Sequence, residues 1–163
     1  MTWTKARIPL LEVSKWLVFV LLALFLYAIT AQGRESGTDF SAMTSAVTQA
    51  ADLTPMQEAD GQMVKRLYGL DPNDYEGVLL YYPTTNMGAE ELLVIKLRDT
   101  TQQEAVTAAI DARMASQMSN FDGYGVGQYE MLEKRITEVR GNYILLVVAS
   151  DPTPVQQAFL KAL

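Results

Sequence analysis

Carboxylates are the side chains of this sequence best suited to acid–base chemistry, because the 163-residue chain contains neither histidine nor cysteine. The commonest general base and the thiolate nucleophile are therefore absent, and so is a thiolate metal site. Glu90 and Glu91 are adjacent, and paired carboxylates can hydrolyse glycosides when they lie about 5–9 Å apart. Neighbours on a strand point to opposite faces, however, so these two would not share a substrate. We predict a solvated strand end and no catalytic residue. The alternative is an envelope hydrolase that uses carboxylates such as Glu90, Glu91 or Asp122.

Two glycine- or aspartate-rich segments resemble ligand-binding loops only in part. Residues 123–127 (GYGVG) follow a predicted helix, whereas a dinucleotide loop follows a strand, so we predict a simple loop. Asp71 begins a sequence like that of a calcium loop. Glu76 stands where such a loop needs glycine, and Tyr82 where it needs a bidentate glutamate. We therefore predict no metal site and no cofactor.

Seven of the eight tyrosines lie beyond residue 33, where they could fill the core or form a binding surface. Tyr75 and Tyr124 stand in polar turns, close to Asp71 and Asp122 respectively. Loops on a rigid scaffold often carry binding residues. We predict that any partner contact uses these four residues. The alternative is that both tyrosines fold back over the end of the sheet.

A charge-free apolar segment, residues 16–33, precedes the rest of the chain. As a helix it would be about 27 Å long, close to the thickness of a bilayer core. The lead of residues 1–15 carries Lys5, Arg7 and Lys15 against one acidic residue. By the positive-inside rule, this predicts a single-pass anchor in the cytoplasmic membrane, with the N-terminus inside and the C-terminal domain outside.

The alternative to an anchor is a cleaved signal peptide, which also begins with a basic lead and an apolar run. Cleavage after Ala31 would leave Ile29 at the third position back, a poor match to the small residue expected there. Both an uncleaved anchor and a cleaved signal peptide would export the domain.

For the remaining chain we predict a linker at 34–38 and one α+β domain at 39–163. Its apolar patterns give the order α-α-β-β-α-β-β-α, with strands near 78–82, 92–98, 134–139 and 143–149. Short connections within each strand pair predict an antiparallel four-stranded sheet, with the helices on one face. A long helix at 101–120 should bury Val106, Ile110 and Met114 on this sheet.

Residues 34–163 carry 10 basic and 18 acidic side chains, a net charge of −8. Such a domain repels phosphate backbones, so nucleic acid is not an expected partner.

Four motifs in order resemble a known family: YGLDPNDYEGVLLYY at 68–82, MGAEELLVIKLRD at 87–99, FDGYG at 121–125 and GNYILLVVASD at 141–151. Together they are similar to the domain of unknown function 4358 family, which is found in envelope lipoproteins of Gram-positive bacteria. The resemblance covers about 40–151 and implies an exported, membrane-attached domain, with no known activity or cofactor. Because this chain has no cysteine to carry a lipid, the segment 16–33 would replace the lipid.

These observations together predict a membrane-tethered extracytoplasmic module that binds an envelope protein and is not an enzyme. The envelope hydrolase above is one alternative. A small-ligand or glycan binder that uses the tyrosines is the other.

Overall fold

The computed structural model describes residues 10–32 and 35–163, with side chains described for 14–25 and 35–163. Residues 1–9 of the predicted basic lead lie outside this description, as do Gly33 at the end of the predicted anchor and Arg34. The chain divides into two units, of which the second comprises residues 35–163.

The first unit contains helix α1, Leu10–Gln32. Its described apolar side chains are exposed, including those of Trp16, Phe19 and Phe25. None of the helices, as far as the described residues go, combines the length and apolar character that a bilayer span requires.

The second unit is an α+β domain, as predicted. Its helices and strands run in chain order: α2 Phe40–Ala50, β1 Met56–Glu58, α3 Gly61–Tyr68, β2 Gly77–Pro83, β3 Glu91–Lys96, α4 Gln103–Phe121, α5 Val126–Glu133, β4 Ile136–Arg140, β5 Tyr143–Val148 and α6 Thr153–Ala162. The sheet is antiparallel throughout, in the order β1-β2-β3-β5-β4. The two predicted hairpins, β2–β3 and β4–β5, therefore meet through their second strands.

The predicted order α-α-β-β-α-β-β-α with four strands is wrong, because the edge strand β1 adds a fifth strand and α5 adds a helix before β4. The three residues of β1 pair with the end of β2, with Met56 opposite Pro83. A three-residue edge strand with one apolar side chain gives no alternating pattern to detect.

Helix α3 begins after β1, where the Asp60 side chain accepts a hydrogen bond from the Met63 backbone N–H, and ends at Gly69, whose φ is 70°.

The prediction of helices on one face is also wrong, because helices cover both faces of the sheet. All residues of β3 and β5 are buried. One face packs against α3, α4 and α5 through side chains such as Leu93 and Ile144, and the other packs against α2 and α6 through side chains such as Leu92 and Leu145. An uninterrupted apolar strand is typical of a sheet covered on both sides. Helix α4 buries Val106, Ile110 and Met114, as predicted.

Hydrogen bonds tie the start of the second unit to the end of the chain. The Ser36 N–H donates to Oδ1 of Asn142 at 2.8 Å, and the Thr38 hydroxyl donates to the Ala162 carbonyl at 2.8 Å. The Tyr143 hydroxyl in turn donates to the Thr38 carbonyl at 2.8 Å. Part of the predicted linker therefore packs as part of the domain.

Candidate functional site

A buried ion pair connects the first residue of β3 to the middle of α4. The Glu91 carboxylate is 1% exposed and accepts from Nε and Nη2 of Arg113, at 3.3 and 2.8 Å. The Tyr68 hydroxyl donates a third hydrogen bond to the same carboxylate. Burial, followed by the negative charge of Glu91, raises the pKa of Tyr68 well above its usual value, so this hydroxyl keeps its proton.

Glu91 therefore does not lie at a solvated strand end, and that prediction is wrong for this residue. The reason is Arg113, which lies 22 residues further along the chain and compensates the buried charge. The neighbouring Glu90 carboxylate is bound elsewhere, since it accepts from the Ala89 backbone N–H at 3.0 Å. The two carboxylates have separate structural partners.

Arg113 forms part of the floor of a groove of about 390 Å³ between α3, α4 and the β2–β3 turn. Gln117, one turn further along α4, also reaches the guanidinium: its side-chain oxygen, when turned toward Arg113, accepts from Nη1 at 2.8 Å. Glu91 and Gln117 together hold the guanidinium of Arg113 in place.

The groove is lined by hydrogen-bonding side chains and contains no carboxylate among its described lining residues. Its polar lining comes from Arg66, Thr85, Asn86, Arg113, Gln117 and Asn120. Its apolar wall includes Met63, Leu67 and Pro83. An anion that enters the groove meets donors and positive charge without a competing negative side chain.

Three large apolar side chains are exposed in the β2–β3 turn and in the segment that follows α4, and we call them together the distal patch: Met87, Tyr124 and Val126. They are 60%, 64% and 70% exposed. The Gln128 side chain donates to the Met87 carbonyl at 3.2 Å and thereby joins the β2–β3 turn to the start of α5. The Tyr124 ring lies against Phe121, with 6.1 Å between ring centroids.

The predicted partner-binding residues fall into two separate places. Tyr124 and Asp122 are exposed in the turn after α4. Asp71 forms an ion pair with Lys65 at 2.6 Å and accepts from the Asn73 backbone N–H, while Tyr75 is only 8% exposed. Burial raises the pKa of Tyr75.

Helix α4 separates these two turns. The side chain of Gln102, immediately before α4, donates to the Asp74 carbonyl at 3.0 Å, so the Asp71–Tyr75 turn lies at the N-terminal end of the helix. Tyr124 follows its C-terminal end. Because 19 residues of helix extend about 29 Å, the structure does not bring Tyr75 and Tyr124 together.

Arg113, Arg66 and the groove were not predicted from the sequence. Helical spacing offered one indication: Arg113 follows Val106 by seven residues and therefore lies on the same stripe of α4 that is buried. A charged residue on an apolar stripe calls for a buried partner. Arg66 gives no such indication, since its position on the groove depends on where α3 packs.

One family model matches the chain: a domain of unknown function (DUF4358), over residues 49–149. This range includes all five strands and the groove, as well as the distal patch. No curated protein and no solved structure gives a match.

Proposed function

The chain belongs to the DUF4358 family, whose description names no activity, and we propose that it is a membrane-tethered, non-catalytic module. The domain binds an envelope protein through the distal patch. The observation that carries this proposal is the exposure of Met87, Tyr124 and Val126 on two segments that the Gln128–Met87 hydrogen bond joins. Single exposed apolar residues are common on soluble domains, whereas a group of large ones is typical of a contact surface.

The residue types of the distal patch suit protein contact. Aromatic side chains and methionine are enriched in the cores of protein interfaces. A tyrosine contributes a large apolar area and a polar tip, and it has few rotatable bonds to immobilise. Met87 can adjust its shape to the partner.

The charge of the domain limits the kind of partner. Residues 35–163 carry 9 basic and 18 acidic side chains, a net charge of −9. Such a surface repels other acidic surfaces and attracts basic ones. The partner proposed here is therefore a protein whose contact surface is apolar with a neutral or basic rim.

The proposed tether rests on residues 16–33 and on the basic residues before them. Every described residue from Trp16 to Leu22 is exposed, and seven consecutive residues cover all sides of a helix. Apolar side chains on every side favour an apolar environment over water. With Lys5, Arg7 and Lys15 preceding the segment, the domain would lie outside the cytoplasmic membrane.

A non-catalytic role is supported by the state of the most buried carboxylate. Glu91 is bound by Arg113 and Tyr68 and is closed to solvent. A catalytic carboxylate must reach its substrate, so Glu91 does not suit the hydrolase alternative.

Chemical crosslinking of the full chain in its own membrane tests this proposal. Replacing Met87 and Tyr124 together by alanine should abolish recovery of the partner at an unchanged melting temperature. The matched control is Leu160→Ala, which removes an exposed apolar side chain of α6. Unchanged recovery with the double variant would contradict the proposal.

A further inference from the structure

Arg66, in the last turn of α3, is exposed and makes no hydrogen bond or ion pair with any described residue. Most other cations of residues 35–163 are engaged. Five form ion pairs: Lys65, Lys96, Arg113, Lys134 and Arg140. Arg98 and Arg135 donate to backbone carbonyls. Within the described chain, only Lys161 shares the unpaired state of Arg66.

Arg66 also lies where its charge is not opposed. It lines the same groove as Arg113, and the described lining has no aspartate or glutamate. In a domain with twice as many acidic as basic residues, a carboxylate-free groove with two arginines is a local exception. Since Glu91 neutralises Arg113, the uncompensated charge in the groove is that of Arg66.

We propose that this groove binds a small ligand through a terminal oxyanion, a carboxylate or a phosphate, held by the guanidinium of Arg66. The planar fork of a guanidinium donates two parallel hydrogen bonds to either group. Thr85, Asn86 and Asn120 supply further hydrogen-bonding groups around the same space. A volume of about 390 Å³ suits a small molecule.

The ion pair of Glu91 with Arg113 gives this site a rigid floor. Both charged groups are hydrogen-bonded on the core side, so neither has to reorganise when a ligand enters. Preformed sites lose less free energy on binding than flexible ones. The apolar wall of Met63 and Leu67 would contact the uncharged part of the ligand.

This proposal does not rest on the proposed protein contact, because none of the three distal-patch residues lines the groove. Loss of protein binding and loss of oxyanion binding can therefore be measured separately.

Nuclear magnetic resonance of the purified full chain in neutral maltoside micelles tests the proposal. Inorganic phosphate and succinate are titrated separately, and the side-chain amide signals of Asn86 and Asn120 are followed. At least one anion should shift both signals in a saturable way. Arg66→Gln should weaken its binding by about tenfold or more, as expected for losing a charged hydrogen-bond pair.

The matched control is Lys161→Gln, which removes the other unpaired cation and changes the net charge equally. Its affinity should stay within about twofold of the unmodified chain. Equal weakening by both variants would mean general electrostatic attraction and would overturn the proposal, as would the absence of a saturable shift with either anion. Since Arg66 has no partner in the fold, the melting temperature of Arg66→Gln should be unchanged.

The titrations also identify the source of the oxyanion. Tighter binding of phosphate indicates a phosphorylated ligand, and tighter binding of succinate a carboxylate. A shift produced by phosphatidylglycerol in the micelles, without added anion and lost in Arg66→Gln, would identify a lipid phosphate. Each of these three results supports the site.

Discussion

Arg113 of α4 donates from two of its nitrogens to both carboxylate oxygens of Glu91, the first residue of β3. The pair links the longest helix of the domain to the centre of the sheet, because β3 lies between β2 and β5. The same pair holds the Arg113 side chain in place where it lines the groove, so one buried contact stabilises both the fold and the candidate site.

Removing one member of this pair should destabilise the domain strongly. Glu91→Ala leaves the Arg113 charge largely buried and unpaired, and the expected loss is about 3–5 kcal/mol of unfolding free energy. Replacing both residues, as in Glu91→Leu with Arg113→Met, should cost less than Glu91→Ala alone. Urea unfolding of the three proteins measures this. A double variant less stable than Glu91→Ala would show that the pair contributes more than compensation of buried charge.

The sequence predicted those features of the fold that follow from a local pattern. Strands β2 to β5 and helix α4 have apolar runs or helical spacing long enough to recognise. The coverage of both faces was not predicted, although apolar runs such as those of β3 and β5 are typical of strands that are buried on both sides. Strand β1 is too short to leave a pattern.

The candidate site could not be predicted in the same way, because its members are distant in sequence. Glu91 and Arg113 are joined only when α4 packs on the sheet, and the same packing brings α3 to the groove. The turns around Asp71 and Asp122 could be recognised from their proline, glycine and aspartate residues. Their placement at opposite ends of α4 depends on tertiary structure, and so does the burial of Tyr75.

The fragment 35–163 should be soluble, monomeric and cooperative in unfolding. Shortening it to 39–163 removes Ser36 and Thr38, with their hydrogen bonds to Asn142, Ala162 and Tyr143. At about 1 kcal/mol for each hydrogen bond, the shorter fragment should be about 2–3 kcal/mol less stable. Urea midpoints of the two fragments measure the difference. Identical midpoints would contradict a stabilising role for this segment.

Ile110→Asp in α4 should abolish folding, because it places an unpaired charge in the fully buried face between helix and sheet. Circular dichroism and gel filtration report the result. Ala112→Asp is the matched control, since position 112 is exposed on the same helix, and this variant should remain folded. A folded Ile110→Asp domain of unchanged stability would refute the packing of α4 on the sheet.

Stability at alkaline pH should depend on Tyr143. Burial, followed by the charges of Glu76 and Asp39, raises the pKa of Tyr143 to about 12. The unfolded chain loses this proton near pH 10, so the folded state keeps it over a higher range. The resulting stabilisation is complete below about pH 10 and is lost as the pH rises toward about 12.

Tyr143→Phe removes this titration and the hydrogen bond to the Thr38 carbonyl. The variant should be about 1 kcal/mol less stable at neutral pH. Its unfolding free energy should also fall less steeply than that of the unmodified domain between pH 10 and 12. Urea unfolding across this pH range measures both effects, and parallel curves would refute the assignment.

Site-specific photocrosslinking of the full chain in its own membrane tests the central claim, that the domain binds a protein through the distal patch. A photoreactive amino acid replaces Val126 in one variant and Asp74, an exposed residue at the opposite end of α4, in the other. If the domain binds through the distal patch, position 126 should give a discrete crosslinked protein and position 74 none. The same crosslinks from both positions, or a crosslink from position 74 alone, would contradict this claim.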